Sequence, residues 1–238
     1  MSTTSAFGAS EPLPMRDDSV PSWQLLLTLT VAGALAGLAV VLLYDWTRPR
    51  VEAHKAGVLR EAIAEVLHSP RRADTLWLTG GKLSGNPPSG ENAKTAERVY
   101  LGFDAAGAPT GYAIQVVEPG FADPITLLIG YDATRRELLG MKVLESKETP
   151  GIADKVVQPV FTAQFRGRAA PLTGIKRDES AKMTTDRTAV VMITGATISS
   201  RAVLRGINKA IAHWQPYLDA YRPAETAPRD TLGSGGKR

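Results

Sequence analysis

Cysteine is absent from the 238-residue chain. That excludes disulfides, protein-ligated iron–sulfur clusters and cysteinyl cofactor links within this polypeptide. It leaves the compartment open, because a protein outside the cytoplasm need not carry disulfides. Histidine is scarce as well: His54, His68 and His213 stand far apart, so no metal site is expected. Charge of one sign is also lacking. The formal net charge is +4, and the basic residues are interspersed with acidic ones rather than gathered in a stripe with aromatics. No nucleic-acid partner is expected from such a pattern. Long hydrophobic runs are missing too, with one exception.

The exception is Leu25 to Tyr44, an uncharged stretch bounded by Trp23 and Trp46. As a helix it would be ~30 Å long, the thickness of a bilayer's hydrocarbon core. The tryptophans and Tyr44 suit the two interfaces. Ala34-Leu35-Ala36 would suit signal-peptide cleavage, but Val40, Val41, Leu42 and Leu43 carry the apolar run past that point. Residues 23–46 are therefore read as an uncleaved transmembrane helix. Residues 1–22, rich in Ser, Thr, Asp and Glu, form a polar disordered leader, and residues 223–238 a disordered tail. Between them, residues 47–222 make one soluble domain.

Within that domain the apolar spacing predicts a helix from Thr47 to Leu67, with a break from the membrane span at Thr47-Arg48-Pro49-Arg50. Lys82 to Gly90 is predicted to be a loop. Strands are predicted over Arg98–Phe103, Gly111–Val117, Ile125–Tyr131 and Leu138–Leu144, separated by short turn-like segments. Connections this short favour antiparallel neighbours over parallel crossovers. Residues 157–188 carry little signal beyond Phe161 and Phe165, expected in the core, and Arg177–Ser180, expected as a solvated turn. The fold class is α+β: one N-terminal transmembrane helix, then a soluble domain with an antiparallel sheet packed by helices.

The most informative stretch is Ile193-Thr194-Gly195-Ala196-Thr197-Ile198-Ser199-Ser200. It follows an apolar run and precedes a helical pattern through Val203, Ile207, Ile211, Trp214, Leu218 and Tyr221. Ser199 or Ser200 is the expected N-cap. Helix entrances expose N–H donors and a partial positive charge that suit phosphate, and Gly195 and Ala196 leave the backbone open to a bulky group. By its physics alone this is an ordinary capped helix start.

Thr194-Gly195-Ala196-Thr197 followed by Ser199, however, resembles the [Ser/Thr]-Gly-Ala-Thr-x-[Ser/Thr] flavinylation motif of the FMN-binding domain family. Upstream, Glu148-Thr149-Pro150-Gly151-Ile152-Ala153-Asp154-Lys155 resembles that family's Glu-Thr-Pro-Gly-Leu-Gly-Asp-Lys. Thr-x-Pro-x-Val-Glu-Ala from Thr47 resembles the juxtamembrane segment of the family's Rnf-type members, the G subunits of that complex. The departures are mild: Ala153 replaces a glycine, Lys147 a common histidine, and Ser199 the commoner threonine. The resemblance implies FMN held by a phosphoester to the Thr197 hydroxyl, with Thr194, Gly195, Ala196, Ile198 and Ser199 around it. It also implies Glu148 and Thr149 as polar contacts to the flavin ring.

The implied function is that of a covalent flavoprotein subunit of an Rnf-type ion-translocating ferredoxin:NAD oxidoreductase. Its partners would be the other subunits of the membrane complex, with a separate flavin transferase acting during maturation. The C subunit of the sodium-translocating NADH:quinone reductase and a stand-alone flavin carrier are neighbouring readings, and a single-span scaffold without cofactor is a reading of another class. Arg48, Arg50, Lys55 and Arg60 follow the span whereas only Arg16 precedes it, so the positive-inside count favours a cytoplasmic domain. The resemblance implies the reverse, a single-pass protein of the bacterial inner membrane with a periplasmic flavin domain, and that is the orientation expected here. Arg201 and Arg205 are expected on a solvated face or facing acidic partners.

Overall fold

The computed structural model describes residues 21–88, 96–121, 123–146 and 154–223. The chain divides into two compact units, residues 1–53 and 54–238. Helix α1 spans Ser22–Val66 and contributes to both. Its first part is long and apolar enough to cross a membrane, and its apolar side chains, such as Leu29 and Val40, are exposed.

The expected break after residue 46 does not occur: α1 runs on through Pro49. A proline removes one helical N–H and crowds the preceding turn. Side-chain contacts across that point hold the backbone together. The Thr47 hydroxyl donates to the Leu43 carbonyl at 2.8 Å, Arg48 pairs with Glu52 at 3.0 Å, and Arg50 lies 4.5 Å over the Trp46 ring. At its other end α1 stops at two left-handed residues, His68 and Ser69, with the Ser69 N–H bonded to the Ala64 carbonyl. Such a stop satisfies carbonyls that the last turn leaves over.

The second unit is built on a six-stranded antiparallel sheet: β1 (Arg72–Thr79), β2 (Lys82–Ser84), β3 (Arg98–Phe103), β4 (Pro109–Pro119), β5 (Pro124–Asp132) and β6 (Glu137–Ser146). Their spatial order is β2-β1-β3-β4-β5-β6. The four expected strands are present, each at or slightly beyond its expected length. Strand β1 has no counterpart among the expected elements, and β2 replaces part of the expected loop. Both carry many polar residues, and pairing of β1 with β3, then of β2 with β1, rather than local alternation makes them strands.

Alternation sorts the strand residues onto two faces. Val99, Leu101, Ile114, Val116, Leu127 and Ile129 point to one side, and Tyr100, Ala113 and Leu128 to the other. Both faces are covered. The end of α1 packs Ala62, Ile63, Val66 and Leu67 on the smaller cluster. The long C-terminal helix packs Val203, Ile207, Ile211, Trp214 and Leu218 on the larger one.

The segment between sheet and C-terminal helix is a compact string of short elements. These are α2 (Asp154–Val157), α3 (Pro159–Thr162), a 3-10 turn (Ala163–Phe165), β7 (Thr173–Ile175), a 3-10 stretch (Arg177–Thr184) and β8 (Ala189–Val191). Phe161 and Phe165 are buried in the core, edge to face at 5.2 Å. Strands β7 and β8 pair in parallel, the intervening chain being long enough for a crossover. The last element, α4, spans Thr197–Ala220.

Close approach at one glycine fixes how α1 meets the sheet. A Cβ built on Gly130 in β5 would lie 2.2 Å from the Val66 carbonyl oxygen. Gly130→Ala should therefore force the helix end off the sheet, at a cost of about 3 kcal/mol and a fall in Tm of about 6–12 °C. Thermal unfolding of the full chain in detergent measures it.

Candidate functional site

The chain from β8 into α4 is held on three sides. The Gln164 side chain binds the Val191 backbone twice, accepting from its N–H at 2.9 Å and donating to its carbonyl at 3.5 Å. Asn208, on α4, clamps Leu172 just before β7 in the same way, at 2.7 and 2.9 Å. Ser200, completely buried, accepts from the Ile193 N–H at 3.1 Å and donates to the Ala196 carbonyl at 2.9 Å. One hydroxyl thus ties both ends of the turn to the helix.

Position 197 follows from this frame. The helix begins at Thr197 with Ala196 as its N-cap residue and no side-chain cap. The expected N-cap at Ser199 or Ser200 is corrected: both lie inside the first turn and are buried. The physical reason is that Ser200 bonds backward into the turn, so the helix starts earlier than its first polar cap would suggest. Thr197 is therefore the first helical residue, partly exposed, its hydroxyl only 3.5 Å from the Ile193 carbonyl. The first turn's backbone N–H groups, including those of Thr197 and Ile198, have no acceptor within the helix.

Thr194 and Gly195 are exposed and Ala196 is buried. Gly195 has φ +83°, a left-handed conformation that a side chain would strain. A Cβ there would also sit 3.4 Å from the Lys155 amine, which approaches the Thr194 carbonyl at 3.5 Å. Ile198 is 56 % exposed. Glu148 and Thr149 lie outside the described residues. Lys155 belongs to the same upstream motif, however, and it does reach the turn.

Beside the turn opens a cleft of about 530 Å³. Its apolar walls include Val160, Phe161 and Ile193, and Lys155, Arg177 and Thr194 supply polar groups. The upstream motif contains Lys155 but implies no role for it. Gln164 and Asn208 carry no local signal, because their partners lie 27 and 36 residues away along the chain. A larger cleft, about 830 Å³, is elsewhere, bordered by Tyr112, Arg135, Leu218 and Tyr221. Burial, and then the Tyr221 charge, push the Tyr112 hydroxyl up to about 12, so it stays protonated there.

One charge cluster supports α4 from below. Glu118, at the end of β4, is buried yet bound by Arg205 and by Lys209 at 3.0 and 3.2 Å. Arg205, expected on a solvated face or facing acidic partners, is exposed and also pairs with this carboxylate of its own chain. Helix and strand are close here because residue 206 is glycine: a Cβ on it would meet the Glu118 Cβ at 2.9 Å. Burial works to raise the Glu118 carboxyl, but hydrogen bonds and charge from Arg205 and Lys209 outweigh it and hold the group below its ordinary value of 4.5.

Known proteins share this arrangement of sheet, turn and helix. Residues 120–212 match the FMN-binding domain family. The G subunit of the ion-translocating oxidoreductase complex of Pseudomonas aeruginosa is 30% identical over 183 residues, covering 72% of this chain and 82% of that protein. The chain belongs to this G-subunit family. The corresponding protein of Methanosarcina acetivorans is 29% identical over 196 residues, covering 82% of this chain and 95% of that one. The crystal structure of Shewanella oneidensis NqrC shares the fold, with a TM-score of 0.59 at 18% identity over 71% of this chain and all of that one. The C subunit of the sodium-translocating NADH-quinone reductase of Parabacteroides distasonis gives 0.54 at 18% identity, covering 73% and 98%. Membership carries an FMN-binding domain with it, and the matched region contains both β8 and the Thr197 turn.

Because the folded value of Glu118 is depressed, its contribution to stability is present above pH 4.5 and lost as pH falls through the folded value. Arg205 and Lys209 are half exposed or more, so solvent screens part of it. Glu118→Gln should lower Tm by about 5 °C at pH 7. The gap to wild type should close towards pH 3, as differential scanning fluorimetry across pH would record.

Proposed function

We propose that this chain is a membrane-anchored electron-relay subunit of an ion-translocating oxidoreductase complex, carrying FMN esterified through its phosphate to Thr197. The observation that carries this reading is the position of the Thr197 hydroxyl: partly exposed, at the first residue of α4, behind the left-handed Gly195. The residues fit the group. Gly195 leaves open the space that a Cβ would fill, backbone N–H groups at the helix start offset phosphate charge, and Lys155 adds a cation beside the turn. The adjoining cleft has apolar walls for a ring system and Arg177 and Lys155 at its edge.

In attachment, the Thr197 oxygen would bond to the flavin-side phosphorus of FAD and displace AMP, its proton leaving to a base of the flavin transferase. No carboxylate among the described residues pairs with the Thr197 hydroxyl, which is consistent with activation by a separate enzyme. Once bound, FMN supplies the redox chemistry. Thr197 fixes it in place, Ser200 keeps the turn on the helix, and Lys155 and Arg177 oppose negative charge on phosphate and ring. A covalent tether suits a carrier that hands electrons between fixed centres without losing its cofactor. The relatives' names support the larger assembly: each belongs to an ion-translocating oxidoreductase complex. The domain organisation proposed is that of residues 23–46 crossing the inner membrane and residues 47–222 forming the flavin domain in the periplasm.

Two measurements test this. Denatured wild-type protein from a host with the transferase should fluoresce as flavin on a gel and gain the mass of one FMN less water, while Thr197→Ala should do neither. An adduct that survives Thr197→Ala moves the site elsewhere. For orientation, the natural absence of cysteine allows a single probe: Ala105→Cys, in an exposed turn, should react with an impermeant maleimide in intact spheroplasts. Protection until lysis would place the domain in the cytoplasm.

A further inference from the structure

Along α4 the cations Arg201, Arg205 and Lys209 recur at every fourth residue, which sets them in one row about 6 Å apart. All three are exposed. The row starts one turn after Thr197 with the exposed Ile198 at its head. Glu118 offsets only the far end, through Arg205 and Lys209. Arg201, the cation of the row nearest the attachment residue, makes no ion pair among the described residues.

The same three cations border a shallow cleft of about 400 Å³. Met192 is a wall of this cleft and also of the larger one beside Thr194. The basic cleft and the proposed flavin cleft therefore meet at one side chain. An apolar group lies beside the row as well. Phe121, just past Glu118, is 62 % exposed, and Arg205 bonds the neighbouring Pro119 carbonyl at 3.2 Å.

We propose that this face of α4, with Ile198, Arg201, Arg205 and Lys209 beside Phe121, docks the carboxylate-bearing surface of a partner protein that exchanges electrons with the group on Thr197. The electron-exchange part rests on the flavin reading above. The docking part rests on charge and exposure alone. A small anion would need the cations but not the exposed apolar side chains. A protein interface uses both, with arginine and aromatic residues enriched and charges steering the approach.

The test uses the full chain in nanodiscs of neutral lipid, with a short polyglutamate peptide as the probe, polylysine as the control of sign, and anionic lipid vesicles as the membrane control. Polyglutamate should bind, and both added salt and Arg201→Glu should weaken it, the latter about tenfold. Arg135→Glu makes the same charge change on an exposed arginine of the β5–β6 turn and should weaken binding less than about twofold. Equal weakening by the two variants, or none from Arg201→Glu, overturns the proposal. So does polylysine binding as well as polyglutamate, or an Arg201 dependence found with the vesicles alone. Circular dichroism of each variant guards against misfolding, and Arg201→Gln repeats the test without charge reversal. The same titration on Thr197→Ala, which lacks the attachment oxygen, should give the wild-type affinity. A failed flavin reading shows in the intact mass of the wild type, and a failed docking face in polyglutamate affinity indifferent to residue 201.

Discussion

Burial of one face of α4 against the sheet is the constraint from which the site geometry follows. Val203, Ile207, Ile211, Trp214 and Leu218 are almost wholly buried, the helix lying chiefly on β4 with β2, β5 and β7 beside it, and each is worth about 1.5–3 kcal/mol relative to exposure. A helix pinned along so much of its length has no freedom to slide, so its first residue is pinned as well. Gly206 lets the axis approach β4 closely, and Asn208 fastens the same helix to the chain before β7. The Thr194–Ser200 stretch is therefore presented by a rigid support, although Thr194, Gly195 and Ile198 are exposed.

The electrostatics are arranged around that support in two tiers. Glu118 is buried where helix and strand nearly touch, and a lone carboxylate there would be costly. Arg205 and Lys209 resolve the cost from the solvent side, and in doing so they consume part of the helix's positive charge. The helix start, by contrast, keeps its unbonded N–H groups, with Lys155 reaching the turn from the neighbouring α2. Negative charge is thus accommodated at the end of α4 that carries the motif. A more voluminous cleft lies at the other end of the helix, among Leu218, Tyr221 and Arg135.

Much of this organisation could be read along the chain. The meander strands β3 to β6 read as short apolar runs bounded by turns, because burial on one or both faces selects apolar residues. The α4 stripe recurs at helical spacing for the same reason. Strands β1 and β2 were not legible, since Arg72, Asp74, Thr75 and Lys82 resemble a loop until β3 pairs with β1 and β1 with β2. The first turn of α4 misled in the opposite way. Two adjacent serines look like caps, yet one is a buried staple with partners four and seven residues back.

What the sequence determined by itself was the local: an uncharged membrane-length run, the helical period of α4, short apolar runs between turns, and a family resemblance carried by a few neighbouring residues. Those properties depend on neighbours within a few residues, so they survive in one dimension. What only the tertiary structure decided was which distant groups converge. Lys155 and Thr194 are 39 residues apart, and Glu118 and Arg205 are 87 apart. Long-range partners like these are chosen by the packing of helix on sheet, and no period along the chain encodes them.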